Sequence, residues 1–224
     1  MKRSEINSII RDAKGFFRKY QFHLPPWAYW SPEEWKGKYQ ICSEIVDHGL
    51  GWDITDFGSG NFNKSGLLLF TIRNGSIHKD DKKYCEKVMI VRDKQVVPMH
   101  FHWSKTEDII NRGGGNLVIE LNMADKNEQL SDKPFTASVD GIVRTFEPGY
   151  KLVLTPGESI TLTPYLGHRF YGETGTGDVL VGEVSSVNDD KTDNCFVEAL
   201  GRFPMINEDE KPLHLLVSDY SNYI

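Results

Sequence analysis

The sequence predicts an all-β sandwich or barrel preceded by a helical and extended N-terminal appendage. Two observations carry this. From about residue 50 onward, short apolar segments recur at regular spacing between turn residues, the pattern of a sandwich or barrel. Before that point the apolar residues follow a helical period instead. The 224 residues suffice for a substantial core, and one β-rich domain can take them all. There is no internal repeat, low-complexity tract or linker. The expected organisation is therefore a packed arm over residues 1–50, a β-barrel over 51–200 and an extension over 201–224.

In chain order, Ile6, Ile9, Ile10, Ala13, Phe16, Phe17 and Tyr20 mark an amphipathic helix, with Ser4 or Asn7 as its cap. Leu24-Pro25-Pro26-Trp27-Ala28-Tyr29-Trp30 reads as an extended aromatic arm, because two prolines oppose a helix. Ser31-Pro32-Glu33-Glu34-Trp35 reads as a cap, a first-turn proline and an acidic first turn, opening a short helix. Strands are expected at 67–73, 84–91, 96–102, 116–122, 151–154, 159–163, 169–171 and 178–187, with a hairpin of 135–139 and 142–146 about Asp140-Gly141. Gly113-Gly114-Gly115 reads as a flexible turn. The run Asn207-Glu208-Asp209-Glu210-Lys211-Pro212 reads as a solvated acidic loop, lacking the ligand spacing of a calcium loop.

A net charge of −6 argues against nucleic acid or an anionic membrane as partner. No apolar run approaches the length of a membrane span. The basic start lacks the apolar stretch of a secretory signal. The 3 cysteines, Cys42, Cys85 and Cys195, are scattered and without metal-finger spacing. Reduced thiols and a cytoplasmic protein are the expectation.

The chemistry centres on His100-Phe101-His102-Trp103-Ser104-Lys105-Thr106-Glu107. Its first half is strand, led in by Gln95-Val96-Val97-Pro98-Met99. Side chains two apart on a strand share a face, about 7 Å apart at Cα, so the two imidazoles lean the same way. Glu107 follows closely enough for a turn to return it. A third imidazole, His168, follows a glycine turn, an alternating strand and a Pro/Gly turn. Three imidazoles and one carboxylate are a divalent transition-metal ligand set.

The pattern H-x-H-x4-E, with Gly114 after it and a Pro-Gly-His segment later, resembles the two motifs of the cupin superfamily, small jelly-roll barrels that hold a metal inside. Lys94 stands where the first motif usually has glycine, Gly167 abuts His168, and Gly172 takes the place of a later Asn. A closer resemblance is to the cupin-type D-lyxose isomerases. It is carried by residues 100–115, by Gly182-Glu183-Val184-Ser185-Ser186-Val187-Asn188-Asp189-Asp190 and by Gly201-Arg202-Phe203-Pro204, and it extends over nearly the whole chain. The resemblance implies a jelly-roll barrel and interconversion of D-lyxose with D-xylulose, and of D-mannose with D-fructose. It also implies a divalent metal, typically Mn²⁺, with Co²⁺, Fe²⁺ or Zn²⁺ as substitutes, on His100, His102, Glu107 and His168.

Such a reaction moves hydrogen between C1 and C2 of an open-chain sugar, so it needs charge stabilisation and a proton carrier. Glu198 is the first candidate base, with Glu183 and Asp190 as further carboxylates, and Lys105 is the candidate acid or polarising group. A hydride shift would need no carboxylate. Asp190, Arg202 and Glu183 are candidates to hold sugar hydroxyls, with Phe170 and Trp30 as walls. The aromatic arm could equally serve core packing or a dimer contact. The alternatives to an isomerase are a cupin dioxygenase using iron and O₂, and a non-enzymatic sugar-binding cupin. The arginines are dispersed, which favours an unphosphorylated sugar. A homodimer is expected because an open sheet edge invites pairing.

Overall fold

This computed structural model describes residues 1–78, 82–189, 192–198, 200 and 205–224. Helix α1 spans Arg3–Lys19 and buries Ile6, Ile9, Ile10, Ala13 and Phe17. Each isoleucine and phenylalanine among them contributes about 1.5–3 kcal/mol on burial, so packing more than propensity holds the helix. The residue before the helix is Lys2. Ser4 and Asn7, expected as caps, lie inside α1 and bind the C-terminal segment instead. Ser4 donates its N–H and its hydroxyl to Asp209, and the Asn7 amide donates to Glu210 Oε1 and the Lys211 carbonyl. Arg3 is wholly buried and forms two-pronged contacts with both Asp219 and Glu208. A buried guanidinium demands such partners. The acidic run at 207–212, expected as a solvated loop, is therefore a clamp on α1.

The aromatic arm contains a 3₁₀ turn, Pro26–Tyr29, where full extension was expected. Proline at its first position lacks only an N–H that the turn leaves unpaired anyway. Helix α2, Pro32–Trp35, starts at Ser31, whose N–H and hydroxyl both donate to the Glu34 carboxylate. Helix α3 is Tyr39–Asp47. A short helix, α4, Tyr220–Tyr223, follows a 3₁₀ turn near the end of the chain. Trp35, Leu215 and Tyr220 form a buried cluster against which Trp27 and Trp30 pack. The arm is thus core packing.

The strands are β1 Gly51–Thr55, β2 Leu67–Asn74, β3 Tyr84–Val91, β4 Val96–Phe101, β5 Glu107–Gly114, β6 Leu117–Met123, β7 Phe135–Val139, β8 Ile142–Phe146, β9 Tyr150–Leu154, β10 Ser159–Leu162, β11 Leu166–Gly172, β12 Val179–Ser186 and β13 Cys195–Phe196. Among the described residues they form an eight-stranded sheet, β1-β2-β3-β12-β5-β10-β7-β8, and a five-stranded sheet, β13-β4-β11-β6-β9. The strand pairings within both are antiparallel. The expected jelly-roll barrel of the cupin class, with its helical appendage, is the fold. Two expectations shift. The strand expected at 169–171 starts earlier, so His168 lies within β11, and Gly113 and Gly114, expected in a turn, end β5. At Gly114, φ is +94° and a Cβ would come 2.2 Å from the Asp178 carbonyl, so only glycine fits there.

Strands β2, β3 and the first half of β12 are buried on both faces, which explains their continuous apolar runs. Leu67, Leu69, Met89, Val91, Val179 and Val181 face the barrel interior, while Leu68, Phe70, Val88, Ile90 and Leu180 face α1. This alternation places the site. Lys87 shares the inward register of Met89 on β3, Glu183 that of Val181 on β12, and Glu107 that of Ile109 on β5. Lys94, at the usual glycine position of the resembled motif, has φ of 62°. The turn keeps the left-handed backbone at a cost of roughly 1 kcal/mol. No helix among the described residues is long and apolar enough to cross a membrane.

Candidate active site and metal centre

Strands β4 and β11 pair with His100 directly opposite His168, and their ring centroids are 4.2 Å apart. His102 lies just beyond β4 and turns the same way. The ligand-capable nitrogens of His100, His102 and His168 lie within 4.8 Å of one another, and all three residues are buried. Each ring donates Nδ1–H to a backbone carbonyl: His100 to Pro98 at 2.8 Å, His168 to Leu166 at 3.0 Å, and His102 to Asp193. A carbonyl can only accept, so in the neutral ring every Nε2 carries a lone pair. Burial, with His168 and His102 alongside, pushes His100 well below the ordinary imidazole value.

Glu107, the first residue of β5, brings Oε1 to 3.1 Å from His168 Nε2 and 3.5 Å from His102 Nε2. Both Glu107 Oε1 and His168 Nε2 are buried without a hydrogen-bond partner. Facing acceptors with no proton between them are costly to bury, and a cation held between them would remove that cost. On this observation His100, His102, Glu107 and His168 fit a divalent metal. The donor set is mixed imidazole and carboxylate, with backbone carbonyls orienting the rings from behind.

The other carboxylate oxygen, Glu107 Oε2, lies 2.6 Å from Lys105 Nζ. Burial disfavours the Glu107 charge, but the Lys105 ammonium outweighs burial and holds the carboxyl well below the usual range. The Lys105 ammonium also reaches Glu183 Oε1 at 3.1 Å and Asn188 Oδ1 at 3.3 Å. Lys87, opposite Glu183 in the β3–β12 register, lies 3.1 Å from Glu183 Oε1 and 2.7 Å from Asn188 Oδ1. Lys87, Lys105, Glu107 and Glu183 are all buried. The Lys87 and Lys105 ammonium groups thus meet the Glu107 and Glu183 carboxylates beside three imidazoles.

These residues line one cavity, with Asp53 and Thr55 of β1, Phe57, Phe170, Asn194 and Phe196 completing its wall. Phe170 is stacked 7° from parallel with His168. The structure therefore brings together His100, His102, Lys105, Glu107, His168, Phe170 and Glu183 of the residues predicted from sequence. Glu198, expected inside the barrel, is exposed. Strand β13 ends at Phe196, so the alternation that turns Phe196 inward is not continued. Trp30 does not line the cavity; it packs edge-on against Trp35, with Lys38 above its ring. Asp190 and Arg202 lie outside the described residues. Sequence reasoning missed Lys87, Asn188, Asp193 and Asn194. Lys87 could have been found from the inward period of β3; the other three lie in loops with no periodic signal.

The model of the D-lyxose isomerase family matches residues 1–220. A protein of Serratia proteamaculans called D-lyxose/D-mannose isomerase is 50% identical over 227 residues, covering 100% of both chains. One of the same name from Escherichia coli O157:H7 is 51% identical over 226 residues, again covering 100% of both. Among solved structures, L-ribose isomerase of Cellulomonas parahominis with L-ribose superposes with a TM-score of 0.61 at 16% identity, covering 92% of this chain and 98% of that one. A mutant L-ribose isomerase of Acinetobacter sp. DL28 in complex with L-ribose gives 0.62 at 13% identity, with the same coverage of 92% and 98%. At that identity the likeness concerns the fold.

Proposed function

Since the chain belongs to the D-lyxose isomerase family and is a sugar isomerase, we propose that it interconverts D-lyxose with D-xylulose and D-mannose with D-fructose, with a divalent cation on His100, His102, Glu107 and His168. The observation that carries this reading is the double use of Glu107. One oxygen faces the imidazoles and the other binds Lys105, which also reaches Glu183. A cation site and a proton-transfer pair are thus joined through one carboxylate. Mn²⁺ suits the mixed donors, and Co²⁺, Fe²⁺ or Zn²⁺ are substitutes. When bound, the cation would supply Lewis-acid stabilisation of charge developing on the sugar oxygens.

The protein's own groups do the rest. Glu183 is the base that takes the proton from C2 of the aldose and returns it to C1, while the proton of the C2 hydroxyl passes by way of the Lys105 amine to the C1 oxygen. Its burial between Lys87 and Lys105 places the carboxylate in the cavity and shields it from bulk water. Glu198 yields this role because it is exposed. The Lys105 ammonium donates a hydrogen bond to the oxygen that gains charge as the proton leaves. Phe170 gives the sugar an apolar wall. Full-length likeness to named isomerases favours this reaction over the iron dioxygenase and the non-enzymatic binder. The reading extends to a single-domain, cytoplasmic homodimer. Cys42, Cys85 and Cys195 form no disulfide, which supports the compartment, and exposed Ile142 and Val143 on edge strand β8 support self-association.

The test is an aldose panel. Protein stripped of metal and reloaded with Mn²⁺ is expected to form ketose from D-lyxose and D-mannose, and His100→Ala to abolish this. Loaded protein that converts neither sugar would sink the proposal.

A further inference from the structure

Asp193 lies outside any strand, yet it binds three successive residues about the metal-ligand turn. Its Oδ1 accepts the backbone N–H of Trp103 at 2.8 Å and of Ser104 at 2.9 Å. Its Oδ2 accepts the Ser104 hydroxyl and the Lys105 N–H, both at 2.8 Å. Consecutive backbone N–H groups converging on one anion form a nest. The Asp193 carbonyl oxygen, moreover, accepts Nδ1–H of His102. Both polar ends of this residue therefore grip the turn that carries His102 at one end and Lys105 at the other.

The same segment crosses the cavity. Asn194 lines it, with a buried Oδ1 that has no hydrogen-bond partner. Phe196 pairs with His100 in the β13–β4 register and sets its ring centroid 5.4 Å from that of His100. A strap of four residues, 193–196, thus touches two of the three imidazoles and holds one unsatisfied acceptor over the space between them.

We propose that Asp193 is a positioning residue, latching the strap to the His102–Lys105 turn and thereby presenting His102 Nε2 to the cation and Asn194 Oδ1 to a sugar hydroxyl. The inference rests on reading the imidazole cluster as a metal centre. Its physical basis is the pair of restraints on His102. The carbonyl sets which ring nitrogen carries the proton, and the nest sets where the backbone stands. Partners of this kind, behind a ligand, typically change metal affinity by about 10- to 100-fold. The nest also holds the Lys105 backbone, which fixes the point from which its side chain reaches Glu107 and Glu183.

The experiment measures Co²⁺ and Mn²⁺ affinity by chelator competition, together with the Co²⁺ absorption spectrum, for wild type, Asp193→Ala, Asp193→Asn and Ser104→Ala. Circular dichroism and melting temperature report folding. The expected result is Asp193→Ala weakened by about 10- to 100-fold with an altered Co²⁺ spectrum. Asp193→Asn, which keeps one acceptor, should fall between it and wild type, and Ser104→Ala, which loses one bond, should change least. With metal restored to saturation, Asp193→Ala should still show a raised KM for D-lyxose. If Asp193→Ala does not fold, the two milder variants decide by the same graded order. Wild-type affinity and spectrum in every folded variant would overturn the latch alone. A wild-type protein that takes up neither ion would overturn the metal reading and the latch with it.

Discussion

Glu107 Oε1 lies 3.1 Å from Nε2 of His168, and neither atom has a hydrogen-bond partner. The two belong to different sheets, β5 of one and β11 of the other. Only closure of the barrel brings them together, with His100 and His102 alongside. An acceptor pair so placed is costly alone and useful once a cation binds.

Removing one member should therefore unbalance the rest. Glu107→Gln deletes a charge from the proposed cation site and takes a carboxylate from Lys105, while its contact with Glu183 stays. Divalent-ion affinity is expected to fall by at least about 100-fold, a larger effect than the outer-partner range, as read by titration calorimetry on stripped protein. His168→Ala should behave likewise. Wild-type ion stoichiometry and affinity in both variants would count against the ligand set.

The two candidate bases separate cleanly. Glu183→Gln should lower kcat by about 10²- to 10⁴-fold with little change in KM. Glu198→Gln, altering an exposed side chain, should stay within about twofold of wild type. Turnover in D₂O adds a second readout. Proton transfer through Glu183 brings solvent deuterium into the product, whereas a hydride shift brings none.

Arg3 tests the clamp between the ends of the chain. Its side chain is 1% exposed and that of Asp219 7%, so the pair is effectively buried. Arg3→Ala leaves Asp219 uncompensated and is expected to cost about 3–5 kcal/mol, seen as a lower urea midpoint. The more exposed Glu208 should matter less.

His214 gives the pH dependence. Burial, opposed by the Trp30 carbonyl and reinforced by Lys14, lowers its affinity for a proton. Its Nδ1 lies 3.0 Å from that carbonyl and its Nε2 3.0 Å from Lys14 Nζ. The folded state thus keeps the ring neutral at a pH where the unfolded chain, with an ordinary value of about 6.5, takes up a proton. Stability is present above that value and is lost as pH falls below it. Urea midpoints between about pH 5 and 7.5 should decline toward acid in wild type, and less steeply in His214→Gln.

The sequence carried the strands where alternation or a turn residue marked them. Tyr84–Val91 and both strands of the 135–146 hairpin fall where expected. The H-x-H spacing located two imidazoles, because a period of two is a local property of one strand. What was less legible was cross-strand. Glu183 continues the inward series Val179, Val181, whereas Glu198 follows a two-residue strand, and only the register tells the two apart. Asp193 was invisible, since nothing in Thr192-Asp193-Asn194 marks an aspartate that bonds backbone about 90 residues away. The acidic run at 207–212 looked solvated because its partners, Arg3, Ser4 and Asn7, lie at the other end of the chain.

That last arrangement orders events in time. Arg3 and Asp219 are 216 residues apart, so a chain emerging from the ribosome exposes α1 well before the groups that neutralise Arg3. Closing so long a loop is slow relative to local contacts. Until it closes, the helix can rest its apolar face on the sheet while its guanidinium remains in water. Docking of the 207–219 segment is therefore expected to seal a helix that was made before the barrel beneath it.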